Sequence, residues 1–200
     1  MPEQLPEVVL PELRWIGPYR LYQGAPGGQV DDIDPSLRGV YLWAIPVDGR
    51  FYPHYVGEAE SLHNRLVIHR GNLTGGSYWI YDPDGLNKGI LKTIYNPNRD
   101  QRIFDGIWDG AKEFALLLHF FILPFPPDPA VNYKRLRLRV ELGLARSVGD
   151  HFKSADGPNV WDQTCGPTHE RNKRLESESE IRVRFAVPDG LVGVPTELIV

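Results

Sequence analysis

Two short apolar runs separated by a turn signal constrain this chain more than anything else in it. Residues 39–46, GVYLWAIP, are almost wholly apolar, which fits a strand covered on both faces. Asp48-Gly49 follows, and an Asp-Gly pair favours a tight hairpin because glycine adopts positive φ at little cost. Residues 50–57, RFYPHYVG, then return as the partner strand. Pro53 marks an irregular or edge portion of that strand, since proline has no N–H to give to a ladder. A chain that opens this way must build a sheet and then find cover for it.

The cover begins at once. From Ala59 to Arg70 the pattern turns helical, with Leu62 and Leu66 one turn apart and Glu58 and Glu60 where a helix N-terminus favours negative charge. Gly71 is the predicted stop. Ser61, Arg65 and His69 then lie on one stripe of that helix, so their side chains point the same way.

Elsewhere the pattern is more mixed. Residues 1–13 carry prolines at 2, 6 and 11 and predict a loose arm, and residues 1–38 together predict an N-terminal arm and loop, with a short strand at 19–23. Residues 71–100 are rich in Gly, Asn, Asp and Pro, with Tyr78, Trp79 and Tyr81 among them, and predict an irregular insertion long enough to suggest function. A short helix at 101–112 and a buried strand over 113–123 follow. Residues 131–149 satisfy both the strand and the helix period. Their length favours helix, although Gly143 weakens one by about 1 kcal/mol. A strand at 180–187 closes the chain.

Composition limits the function classes. An apolar share of 42% in 200 residues supports a packed core rather than disorder. The single cysteine, Cys165, rules out an internal disulfide and a cysteine-rich zinc site, and it suggests a reducing, cytoplasmic setting. The acidic, proline-broken start does not look like a signal peptide, and no apolar run approaches the ~20 residues of a membrane span, so no membrane partner is expected. Cys165 with His169 is a pair without further sulfur ligands, and the glycine-rich stretches lack the lysine of a phosphate-binding loop. The net charge of −4 does not by itself call for nucleic acid. Charge is uneven, however: residues 1–38 hold six acids against three bases, and residues 131–146 hold five bases against one acid. That basic strip is either a solvated face or a local contact for a polyanion.

Gly39-Val40-Tyr41 and Tyr55-Val56-Gly57, set on one hairpin, resemble the signature of the GIY-YIG nuclease family. In that family the first helix carries an arginine eight residues past the second motif's glycine, and Gly57 plus eight is Arg65. A subset that includes some restriction enzymes adds a histidine one turn later, where His69 stands. A third strand and a glutamate-bearing helix follow in the family, matched by residues 113–123 and by Glu141. The resemblance covers roughly residues 39–149, interrupted by the insertion at 71–112, with residues 150–200 as a C-terminal extension.

The resemblance implies an α+β fold with a small antiparallel three-stranded central sheet flanked by helices, an insertion and extra C-terminal strands. It implies a Mg²⁺- or Mn²⁺-dependent endonuclease acting on double-stranded DNA, of restriction or defence type. Glu141 would bind the metal, Arg65 the phosphate, Tyr41 would be the base and Tyr55 would orient the water or the phosphate. His69 would donate to phosphate or move protons. A late asparagine closes the family's site, and either Asn159 as a substrate-binding residue or Asp162 takes that position here. These residue types suit the chemistry. Phosphodiester hydrolysis needs a water, a proton acceptor and a cation, Mg²⁺ manages with one carboxylate, and guanidinium matches phosphate oxygens.

Two rival readings remain. One is a nucleic-acid-binding module of the same fold that has lost cleavage. The other is an intracellular interaction protein with a structural tyrosine hairpin, which predicts Tyr41, Arg65 and Glu141 far apart. The insertion's aromatic residues either cover an enlarged core or stack on bases.

Overall fold

The computed structural model describes residues 11–22, 28–98, 105–126, 133–154, 157–162 and 181–200. The chain is mixed α+β. Its strands are β1 (Leu13–Arg14), β2 (Ile16–Arg20), β3 (Gly28–Gln29), β4 (Gly39–Val47), β5 (Arg50–Ala59), β6 (Ile80–Tyr81), β7 (Thr93–Tyr95), β8 (His119–Pro124), β9 (Arg182–Ala186) and β10 (Glu197–Ile199). The α-helices are α1 (Leu62–Thr74), α2 (Pro83–Leu86), α3 (Asp105–Leu117) and α4 (Tyr133–Ser154).

The hairpin forms where the sequence predicts it. Asp48 and Gly49 turn with φ of 49° and 76°, so Val47 pairs with Arg50 and the register runs back to Gly39 opposite Ala59. Both central residues have the positive φ that a two-residue turn needs to match the twist of its strands. β4 also pairs antiparallel with β8, which makes the expected three-stranded unit β8-β4-β5. The sheet does not end there. β2 pairs antiparallel with β8 and β3 runs parallel to β2, giving five strands in the order β3-β2-β8-β4-β5. Residues 16–20 and 28–29, expected within an arm and loop, therefore extend the sheet. Residues 1–10 lie outside the described residues.

Each face of the sheet has its own core. Tyr41, Trp43, Ile45, Phe120 and Ile122 point to one side, where Leu62 and Leu66 of α1 and Phe114 of α3 pack on them. Val40, Leu42, Ala44, Phe121 and Leu123 point to the other side, under Val140 and Leu144 of α4 and Val183 and Phe185 of β9. This two-sided cover explains why β4 is buried along nearly its whole length. β9 lies between β1 and β10 in a separate three-stranded sheet built largely from the C-terminal extension.

Helix ends shift from expectation for local reasons. α1 starts at Leu62 because Ser61, in an extended conformation, caps it, accepting the Asn64 N–H at 3.3 Å. It passes through Gly71 and stops at Gly75, after which Gly76 turns with φ of 68°. Residues 113–117 belong to α3 rather than to the strand, which begins only at His119. The continuous apolar run fits either structure, and the break falls at Leu118. α4 confirms the helical reading of 133–149 and extends it to Ser154. The basic strip on α4 is not one solvated face: Lys134, Arg135 and Arg146 are exposed, while Arg137 and Arg139 are buried.

Two glycines of the hairpin are required by close approach. A Cβ at Gly39 would lie 2.1 Å from the Leu123 carbonyl oxygen of β8. A Cβ at Gly57 would lie 2.3 Å from the Tyr41 hydroxyl, its cross-strand partner. Gly71, by contrast, has nothing near its missing Cβ and sits inside a helix. Gly39→Ala should therefore lower the urea unfolding free energy by about 1–3 kcal/mol. Gly71→Ala should raise it by about 0.5–1 kcal/mol. Equilibrium urea titrations of the two variants check both signs.

Candidate functional site

Cross-strand pairing puts Tyr41 of β4 opposite Gly57 of β5, the edge strand of the sheet. With no side chain at 57, the buried Tyr41 ring reaches over the edge strand and its hydroxyl meets α1. There the Arg65 Nε–H donates to the Tyr41 oxygen at 3.3 Å, and His69 Nε2 lies 2.7 Å from the same oxygen. The helical stripe predicted from spacing thus delivers both side chains to one phenol. Tyr55 stands beside it, ring centroids 6.0 Å apart.

A cavity of about 410 Å³ opens at this point, and Tyr41, Tyr55, Arg65 and Glu141 all line it. They come from β4, β5, α1 and α4. Glu141 reaches the cavity although α4 covers the opposite face of the sheet from α1, because both helices meet at the β5 edge. Tyr41, Arg65 and Glu141 are therefore neighbours, contrary to the interaction-protein reading. Glu58 and Glu60 line the cavity too. Both are engaged by the buried Arg137, whose Nε lies 3.4 Å from Glu58 Oε2 and whose Nη2 lies 2.5 Å from Glu60 Oε1. Among the described residues no group of three or more His, Cys, Asp and Glu side chains is arranged to hold a metal ion.

Sequence reasoning missed two neighbours. His69 Nδ1 lies 2.8 Å from the Tyr78 hydroxyl, which also accepts an Asn72 Nδ2–H at 2.8 Å. The line Arg65, Tyr41, His69, Tyr78, Asn72 is therefore continuous. His69 thus lies between two phenols. Asn72 continues the α1 surface one turn beyond Ile68 and could have been noticed; Tyr78 lies in the insertion, where no spacing rule applies.

A second cavity, of about 350 Å³, lies against the first, and Tyr55 and Arg65 line both. Asp162 lines this second cavity, and its carboxylate accepts the Tyr81 hydroxyl at 2.5 Å. Asn159 lines neither. Its N–H donates to the Gly89 carbonyl at 2.9 Å and its side chain accepts the Trp161 N–H at 3.4 Å, so it fixes a bend in the chain. Of the two late positions, Asp162 borders the adjoining cavity and Asn159 borders neither cavity. Cys165 and His169 lie outside the described residues.

Burial sets the charge states. Burial first, and then the neighbouring Tyr55, push the Tyr41 phenol well above the usual tyrosine range, with Arg65 pulling the other way. Burial and then the charge of Arg65 hold the His69 imidazole down at about 3. His69 is thus neutral at pH 7, with one ring nitrogen donating and the other accepting.

Comparisons with family models, with curated proteins and with solved structures give no match for this chain. Among the described residues no helix is long and apolar enough to cross a membrane.

The neutral His69 carries a pH signature. Its folded-state pKa lies below the unfolded value of about 6.5, so its contribution to stability is complete above pH 6.5 and is lost as pH falls toward 3. Over that window the unfolded chain binds a proton that the folded chain refuses, worth about 1.4 kcal/mol per pH unit. Urea titrations between pH 7.5 and 5 should show the wild type losing stability on acidification. His69→Asn should show a slope shallower by about that amount.

Proposed function

We propose that the chain is a Mg²⁺-dependent endonuclease that hydrolyses phosphodiester bonds in DNA, similar to the GIY-YIG nucleases and of restriction or defence type. The observation that carries this reading is the shared cavity: Tyr41, Tyr55, Arg65 and Glu141, drawn from four separate elements, line one solvent-open groove. Packing alone gives no reason for an arginine, a glutamate and two phenols to meet there.

A Mg²⁺ or Mn²⁺ ion fits the donor set. Arg137 holds Glu58 and Glu60, Glu141 supplies a carboxylate to the groove, and such ions work with one carboxylate, several waters and a substrate phosphate. When bound, the ion supplies positive charge for the phosphate oxygens and the leaving group.

The chain's own residues do the rest. The Arg65 guanidinium, one N–H on Tyr41, offers its remaining donors to a non-bridging phosphate oxygen. Tyr55 lines the groove beside Tyr41 and orients the attacking water. The Tyr41 oxygen takes the proton of that water while its own proton passes to His69 Nε2, 2.7 Å away. This relay avoids a free phenolate, which burial disfavours. The imidazole in turn passes its Nδ1 proton to the Tyr78 hydroxyl, which is half-buried and releases its own proton to solvent in the adjoining cavity that it lines.

The second reading, a binding module without cleavage, draws on the same elevation of Tyr41, which opposes a simple phenolate base. Supercoiled plasmid with Mg²⁺ separates the two. The wild type should nick and linearise it. Glu141→Gln and Arg65→Ala should each lose at least ~100-fold in rate, His69→Ala should lose ~10–100-fold, and Asn159→Ala should cut like the wild type. Salt-sensitive binding with no Mg²⁺-dependent product would favour the binding module.

A further inference from the structure

The cavity that adjoins the groove has features that phosphate hydrolysis does not require. Its walls are flat aromatic surfaces: Trp43 from β4, and Tyr78, Trp79 and Tyr81 from the insertion. Ser77, Asn98 and the phenols in its lining can donate or accept, and two further groups are acceptors. Asp162 presents a carboxylate. His54, buried, donates its Nδ1–H to the Val160 carbonyl at 2.6 Å, which leaves Nε2 as an acceptor, and burial keeps the ring neutral.

His54 reaches this cavity through a fault in the sheet. Trp43 pairs with Tyr55 and Ala44 pairs with Pro53, so His54 has no partner across β4. Such a bulge turns two consecutive side chains to one side. His54 and Tyr55 accordingly line the same cavity, although alternation would have sent them to opposite faces. The bulge adds an acceptor to an aromatic chamber, and Tyr55 and Arg65 form the boundary between that chamber and the groove.

The occupant must be flat, must carry N–H donors on an edge, and must tolerate a guanidinium at the entrance. An organic cation meets the first two demands, but Arg65 repels it. A nucleobase meets all three, because its own phosphate lies where Arg65 is. At about 350 Å³ the chamber is at the small end of ligand pockets, which run about 300–1,000 Å³, and suits one base with its sugar. Adenine, cytosine and guanine each carry an exocyclic amino group for two acceptors. Thymine offers one ring N–H and two carbonyl oxygens, which Asp162 and His54 Nε2 would oppose.

We propose that this chamber receives a single unstacked nucleobase bearing an exocyclic amino group, beside the phosphate held at Arg65. The assignment rests on reading the groove as a nuclease site. It makes the aromatic insertion a recognition element: stacking on its rings offsets the few kcal/mol needed to take a base out of a duplex.

The test separates the chamber from the cleavage chemistry. Deoxynucleoside 5′-monophosphates are titrated calorimetrically into the full chain in metal-free buffer. The amino-bearing nucleotides should bind saturably and at least ~10-fold more tightly than dTMP. Asp162→Asn should erase that preference. Trp79→Ala, at a half-buried position and with its fold checked by circular dichroism, should weaken all binding nucleotides ~10-fold or more. Equal binding of the four nucleotides, no saturable binding, or an Asp162→Asn variant with the preference intact would each overturn the proposal. Binding with this preference in a protein that never cuts plasmid would remove the nuclease reading and leave the chamber standing; cutting without it would do the reverse.

Discussion

The molecule is organised around one phenol laid across a missing side chain. Tyr41 is fully buried, and its hydroxyl occupies the place where any Cβ at position 57 would have to go. A buried hydroxyl without partners costs on the order of 1–3 kcal/mol. Here Arg65 donates to the oxygen and His69 lies within hydrogen-bond distance, both from the helix that follows the hairpin directly. The same contact therefore fixes the angle at which α1 leaves the sheet, the identity of residue 57 and the opening of the groove at the β5 edge. A larger residue at 57 would push the ring back into the sheet and separate the phenol from both of its partners.

Charge is arranged around that point with the same economy. Three glutamates line the groove, and three unneutralised carboxylates in one cavity would repel one another. Arg137, one turn before Glu141 on α4, is buried and meets both Glu58 and Glu60. A buried guanidinium is stable only with such partners, and it offsets their negative charge at the groove in return. The arginines of α4 thus divide between two roles. Buried Arg137 balances the acidic rim from beneath, while exposed Lys134, Arg135 and Arg146 belong to the surface.

Much of this was readable where local chemistry decides it. The Asp48-Gly49 turn, both hairpin strands, the α1 stripe and the helical nature of residues 133–149 follow from neighbours within a few positions. The wider sheet was only partly readable: the strand predicted at 19–23 overlaps the end of β2, but Gly17-Pro18 passes for loop until β2 pairs with β8 about a hundred residues away. The α3–β8 boundary was hidden by a run apolar enough for either structure. Pro53 did signal an irregularity, but only the cross-strand register shows that the irregularity aims His54 at a cavity. Tyr78 could not be found by spacing, since a nonhelical segment carries it back to His69. Asn159 and Asp162 were open alternatives because three residues in an irregular segment can face any direction.

The hydrogen-bonded line from Arg65 to Asn72 connects the two cavities and makes their states interdependent. A neutral imidazole between two phenols has one proton to place. It either donates to Tyr78 and accepts from Tyr41, or the reverse, and the first arrangement is the one that lets Tyr41 act as a base. Asn72 donates to Tyr78 in both. What holds His69 neutral is burial together with the charge of Arg65, and a phosphate on Arg65 cancels the second of these. An anion on Arg65 would therefore make the imidazole a better proton acceptor. On the proposed nuclease reading, the charge that would bind the phosphate also keeps the relay idle until the phosphate arrives. A lysine in place of Arg65 would preserve the charge but lose the second donor set, since one guanidinium here must hold the phenol through Nε while presenting its remaining nitrogens to the groove.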